Sequence, residues 1–254
     1  MIFRQLFEAE SSTYTYLIGC TRTRQAALVD PVLETFPRDL DLLAALELTL
    51  AYTLDTHIHA DHVSGALKCK VIAGSKIAMP AAAGLTCADV MVSEGSAFTV
   101  GDIELMPLFT PGHTDHHHCY LFSDGPDKTA RQAVLSGDCL LIDGCGRTDF
   151  QSGSAAALYR SVREKLFTLP DDTLVYPGHD YQARRVSSIA QERTRNPRLK
   201  DGISEAAFIK IMAELNLAYP KKIDIAVPAN EHCGQCADTA PESLKQLCDM
   251  SIQG

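Results

Sequence analysis

The stretch THIHADH at positions 56–62 crowds three of the chain's nine histidines into six residues, with an aspartate among them. Imidazoles and carboxylates so close together need a shared partner, and a divalent ion is the commonest one. His57 and His59 sit two apart, so on an extended strand end they project to the same side and reach one small volume. Asp61 and His62 follow at once. The apolar run LAYTLD precedes this stretch, and the pattern recurs three times: IELMPLFT before PGHTDHHH, QAVLS before GDC, and DTLVY before PGHD. Four strand ends that deliver His or Asp to loops imply rigid sheets positioning one site.

The rest of the chain supports a layered α/β reading. Apolar or alternating runs at 13–19, 25–30, 49–55, 70–73, 97–109 and 118–122 read as short strands. Helical spacing appears at 37–48, after Asp61, and at 154–167, 181–194 and 204–216, with Ser204 placed as an N-cap. No internal repeat or long linker interrupts them. A length of 254 residues with 46% hydrophobic content suits one domain over 1–254, ending in a C-terminal extension from about 200 to 254. Two sheets with helices covering both faces, an α/β sandwich, is the expected architecture.

Charge narrows the partners. Lys and Arg number 23 against 32 Asp and Glu, a formal charge of −9, which disfavours nucleic acid or an anionic membrane and favours a small-molecule substrate. MIFRQLFEAESSTYTYLIG lacks a basic segment followed by an apolar run, and no stretch reaches the roughly 18 apolar residues of a membrane span. A cytoplasmic location is the expectation. The nine cysteines, with Cys20, Cys119 and Cys139 in apparent core strands, read as reduced thiols rather than a disulfide framework. Cys233 and Cys236 form a lone C-x-x-C and read as structural loop cysteines.

His57, His59, Asp61, His62, His113, Asp138 and His179 make seven nitrogen and oxygen donors, enough for one or two divalent ions. Taken singly, a histidine in a Pro-Gly-His turn is usually a hydrogen-bonded loop residue, and Gly137-Asp138 is ordinary turn chemistry. Taken in order, each after a strand, they read as a metal site.

THIHADH, TPGHTD, LSGD and VYPGHD together resemble the metallo-β-lactamase superfamily, which implies a four-layer αββα fold. Residues 135–181, RNPRL at 195–199 and VPANEHCG at 227–234 are similar to one branch, the persulfide dioxygenases. That resemblance implies a single Fe(II) per chain, held by His57, His113 and Asp138. His59, Asp61, His62 and His179 then match the second metal position of hydrolase relatives, left empty in the dioxygenases, and become supporting groups, His179 close to the chemistry. Two imidazoles and one carboxylate leave open positions on iron where substrate and dioxygen can meet. The implied reaction oxidises glutathione persulfide with O2 to sulfite and glutathione. The alternative is a dinuclear zinc thioesterase like glyoxalase II, cleaving S-lactoylglutathione with all seven donors. GCGRTDFQ and NPRL resemble the dioxygenase branch instead. The resemblance further implies a homodimer, and, with no rhodanese domain recognisable, a separate sulfurtransferase as supplier or consumer of the persulfide.

Four residues are candidates for supporting or binding roles. Arg147 and Asp149 in CGRTDF can pair with each other or contact substrate near the ion. Tyr181 and Arg184 can meet glutathione through a hydroxyl and a guanidinium, or be an ordinary half-buried tyrosine and a solvated helix-surface arginine. Of His116, His117 and His118, only one or two can face a pocket at a strand start, and none is assigned as a ligand.

Overall fold

All seven residues of TYTYLIG are buried although polar and apolar types alternate along them, so both faces of this strand are covered. The computed structural model describes residues 1–123, 131–236 and 240–249. The chain divides into two compact units. One comprises residues 1–92, 99–103 and 219–254; the other comprises 93–98 and 104–218.

The first unit carries a six-stranded mixed sheet in the order β1 to β6. β1 (Ile2–Glu8), β2 (Thr13–Gly19) and β3 (Gln25–Val29) pair antiparallel. From β3 onward β4 (Thr49–Leu54), β5 (Lys76–Pro80) and β6 (Val90–Val92) run parallel. Parallel neighbours need crossovers. Helices α1 (Phe36–Ala45) and α2 (Ala66–Ala73) supply two of them. The core of this unit gathers Leu17, Leu28, Phe36, Leu43, Leu50 and Val63 with Ala226 of α6 (Ile223–Asn230) and Leu244 of α7 (Glu242–Asp249). Val29 pairs with Leu54, so Asp30 and Asp55 leave adjacent parallel strands side by side. Carboxyl ends of parallel strands are where open α/β sheets place their sites.

A second six-stranded sheet has the order β12-β11-β10-β9-β8-β7. Its strands are β7 (Phe98–Val100), β8 (Ile103–Phe109), β9 (His118–Ser123), β10 (Gln132–Gly137), β11 (Leu174–Pro177) and β12 (Ser187–Ser188). α3 (Ala155–Ser161), α4 (Ile189–Arg195) and α5 (Glu205–Ala213) complete it, around a core of Cys119, Val134, Leu158, Leu166, Val175, Ile189 and Phe208. β8 and β9 form a hairpin with Phe109 opposite His118, which makes 110–117 its loop. β10 and β11 are parallel with Gly137 opposite Pro177, so Asp138 and His179 emerge at one end of the sheet.

Three expectations are corrected. Residues 70–73 are not a strand but the last turn of α2, closed by Gly74 at φ 69° with its N–H on the Lys70 carbonyl. Residues 181–194 are not one helix: the Asp180 carboxylate takes the N–H groups of Gln182 and Arg184 in a turn, and α4 begins only after Ser188, whose hydroxyl caps Gln191. Four cysteines are not thiols, because Cys87 pairs with Cys233 and Cys236 with Cys248; Cys20, Cys69, Cys119, Cys139 and Cys145 are free. Cys87 and Cys233 lie 146 residues apart, a pairing that spacing alone does not reveal. The N-cap at Ser204 is as expected, with its hydroxyl accepting from Ala207. Among the described residues no helix is long and apolar enough to cross a membrane.

Candidate metal centre

In the first unit the loop after β4 is organised by Asp30, which is 1% exposed and sits at φ 50° directly after β3. Its Oδ1 accepts from the Thr56 backbone N–H at 2.7 Å, and its Oδ2 accepts from the Thr56 hydroxyl at 3.0 Å. With its one proton given to Asp30, Thr56 Oγ1 can only accept from His57 Nδ1, 2.9 Å away. The His57 proton is therefore on Nδ1 and the lone pair on Nε2, the tautomer a metal ligand needs. The rings of His57, His59 and His62 lie tilted against one another in turn, with centroids 4.2 and 4.4 Å apart.

His59 Nε2 lies 3.0 Å from Asp30 Oδ1. Burial pulls this imidazole down, but the Asp30, Asp61 and Asp55 carboxylates override it and push it up to about 9. Asp55 is itself pushed up to about 7, chiefly by burial. His62 Nδ1 is 2.9 Å from Asp61 Oδ2, which also accepts from the Thr13 hydroxyl. Among the described residues, His59 Nδ1 and His62 Nε2 are buried with no hydrogen-bond partner, and donor atoms of His59, Asp61 and His62 all fall within 4.8 Å of one another.

In the second unit His113, Asp138 and His179 come together. His113 Nδ1 donates to the Arg147 carbonyl at 2.7 Å, which again leaves the lone pair on Nε2, 3.5 Å from Asp138 Oδ2. Two donors about 2.1 Å from one ion, at octahedral to tetrahedral angles, are roughly 3.0–3.5 Å apart, so this spacing fits a shared ion. Asp138 Oδ1 accepts from His179 Nδ1 at 2.6 Å. Two glycines make room: a Cβ on Gly178 would sit 2.8 Å from Asp138 Oδ1, and one on Gly112, at φ 144°, would sit 2.3 Å from the Leu158 backbone.

The comparisons with known proteins bear on these residues. The metallo-beta-lactamase superfamily model matches residues 9–179. The mitochondrial persulfide dioxygenase ETHE1 of Homo sapiens is 45% identical over 241 residues, 94% of this chain and 91% of that protein. A crystal structure of ETHE1 from Myxococcus xanthus superposes with a TM-score of 0.87 at 52% identity, covering 92% of this chain and 100% of that one. The chain belongs to the persulfide dioxygenases of the metallo-β-lactamase superfamily. Its fold is that of the superfamily, as the motifs implied. A probable hydroxyacylglutathione hydrolase of Schizosaccharomyces pombe is more distant, at 33% identity over 69% of this chain.

Within this persulfide dioxygenase chain the loop after Asp138 is held by the segments that carry the branch's likeness. Asn196 of RNPRL donates to the Gly144 carbonyl at 3.0 Å, and Arg198 donates to the Cys145 carbonyl at 3.0 Å. Arg184 reaches the same loop through Asp143 Oδ2 at 2.6 Å and the Ile142 carbonyl, and it also bonds Asp180. Arg147 makes a bidentate pair with Asp149, 2.7 Å at each contact, donates to the Ala218 carbonyl and lies over the Phe150 ring. Tyr181 is 80% exposed.

Two supporting residues escaped the sequence reading. Asp30 was visible only as one aspartate after a buried strand. His117 was treated as one of three equivalent histidines. It is fully buried, donates from Nδ1 to Thr110 Oγ1 at 2.9 Å and accepts the Asp138 backbone N–H on Nε2 at 3.1 Å. Burial, with His113 nearby, holds it well below the ordinary histidine range, and the neutral ring is what can both donate and accept. Replacing His117 with Ala strands the Asp138 N–H. Urea unfolding should show a loss of about 1–3 kcal/mol, and metal titration a 10- to 100-fold weaker ion, about the usual effect of losing a group that orients a ligand. Wild-type metal affinity in this variant would remove His117 from the site.

Proposed function

We propose that the chain is a mononuclear Fe(II) enzyme that oxidises glutathione persulfide with dioxygen, its ion held by His57, His113 and Asp138. The observation that carries this reading is the 45% identity, along 94% of the chain, to a protein named persulfide dioxygenase. The donor chemistry agrees. His57 and His113 each have Nδ1 tied to an oxygen and the lone pair on Nε2, and the carboxylate of Asp138 completes a two-imidazole, one-carboxylate set.

Bound Fe(II) would supply electrons toward dioxygen and a cationic position for the persulfide sulfur. The chain's own residues orient each member of that set. Thr56 and the Arg147 carbonyl fix the two ring tautomers, while His117 and His179 fix Asp138 at its backbone and at Oδ1. Overall, persulfide, O2 and water yield sulfite, glutathione and protons. We assign the exposed Tyr181 to substrate contact. Arg147 and Arg184, with guanidinium groups committed to Asp149, Asp180 and Asp143, act by shaping the loop against which substrate binds.

The thioesterase reading keeps one observation in its favour, the orphaned His59 Nδ1 and His62 Nε2 beside Asp61, which a second ion would satisfy. Metal analysis and an oxygen electrode decide between the two. The expected result is one iron per chain and O2 uptake that depends on glutathione persulfide and matches sulfite release. Two zinc ions per chain with hydrolysis of S-lactoylglutathione, and no O2 uptake, would overturn it.

A further inference from the structure

Asn230, the last residue of α6, is 3% exposed. Its Oδ1 accepts from the Ser64 backbone N–H at 2.8 Å, and its Nδ2 donates to the carbonyls of His59 at 2.9 Å and His62 at 2.8 Å. Residues 57–62 lie outside every helix and strand, so these backbone groups have no ladder to satisfy them. One amide thus gathers three backbone groups of the histidine loop, using its acceptor and both donors.

The end of α6 is fixed in turn. The Cys233 N–H bonds the Asn230 carbonyl at 3.0 Å, and the Cys233 carbonyl accepts from Leu67 at the start of α2. Cys233 is 1% exposed at φ 58°, a conformation costly for a residue with a Cβ and kept only where its surroundings enforce it. Its sulfur is bonded to Cys87, and it packs in one apolar cluster with Ile58, the residue between His57 and His59. Among the free thiols, burial pushes Cys69 up to about 12 and Cys145 to about 11, which makes both inert. In a chain with such core thiols, a disulfide beside the site is a candidate for redox sensing.

We propose that Asn230 is the positioning residue of the histidine loop, and that the Cys87–Cys233 disulfide makes its grip redox-dependent. Two equivalents of a small thiol, such as the one the proposed reaction releases, reduce the disulfide. They leave as their own disulfide, while Cys87 and Cys233 each gain a proton and together two electrons. The freed Cys233 relaxes, Asn230 loosens, and the ion at His57 escapes faster. This rests on the reading of His57 as a metal ligand.

The test uses the full chain loaded with Co(II), with chelator-driven release followed by the cobalt spectrum and amide exchange followed in the metal-free protein. Asn230→Asp keeps the acceptor for Ser64 and loses both donors. Release from it should be 10- to 100-fold faster, with quicker exchange confined to residues 57–64 and none in β2. Cys87→Ser, and wild type treated with a dithiol, should shift the same way by less, while Cys236→Ser should not. Wild-type release from Asn230→Asp, or exchange quickened equally across the sheet, overturns the positioning role. A dithiol response that survives in Cys87→Ser, or none in wild type, overturns the redox role. Iron-loaded protein without persulfide-dependent O2 uptake would sink the proposed activity and leave this inference standing; cobalt release unaffected by His57→Ala would sink this inference and the His57 ligand assignment while leaving the proposed reaction standing.

Discussion

Asp138→Ala is expected to lose the bound iron and all persulfide-dependent O2 uptake while remaining folded. In the proposed set Asp138 is the sole anionic donor, and an ion held by two neutral imidazoles alone keeps neither the charge balance nor the geometry of a two-histidine, one-carboxylate site. The same carboxylate takes the His179 Nδ1 proton at 2.6 Å and sets its other oxygen 3.5 Å from His113, so its removal frees two rings at once. The backbone of Asp138 stays bonded to His117, and the β10–β11 register does not depend on the side chain. The melting temperature of metal-free protein should therefore move little, and the holoprotein should lose the stabilisation that bound metal gives. Elemental analysis of the purified variant is the check. Full iron occupancy in Asp138→Ala would refute the ligand assignment.

The chemistry was legible in the sequence where it depends on residue type and local order. His57, His113, Asp138 and His179 each follow an apolar run, and each of those runs is a strand whose end faces a loop. Where the same information was ambiguous, it misled. KVIA at 70–73 satisfies strand and helix patterns alike, and the αL cap at Gly74 decided for the helix. YQARRVSSIAQERT has helical spacing throughout, yet Asp180 at its head makes a turn whose hydrogen bonds compete with a helix. What no pattern could show is the set of long-range partners. Cys87 and Cys233, Asn230 and His59, and Asp138 and His117 are joined only by topology, so each half looks ordinary in its own segment.

Asp30→Asn is the sharper experiment on the first unit, because it changes protons more than shape. Asn accepts φ 50° as readily as Asp, so the backbone is not what is tested. In the wild type the proton chain runs from His57 Nδ1 to Thr56 Oγ1 to Asp30 Oδ2. With an amide nitrogen in place of Oδ2, the Thr56 hydroxyl must accept there and turn its own proton toward His57 Nδ1. The ring then carries its proton on Nε2, the tautomer that cannot bind metal through that atom, as when an orienting carboxylate becomes an amide elsewhere. Metal affinity should fall by at least the 10- to 100-fold usual for an orienting group. His59 also loses its nearest counter-charge. The loss of stability should stay below the roughly 3–5 kcal/mol of a broken buried pair, because Asp61 and Asp55 remain 3.9 and 4.0 Å from the ring. Nitrogen-15 spectra of the His57 ring in metal-free protein read the tautomer directly: Nε2–H in the variant against Nδ1–H in the wild type. A variant that keeps Nδ1–H and still loses metal would show that Asp30 acts through His59 rather than through Thr56.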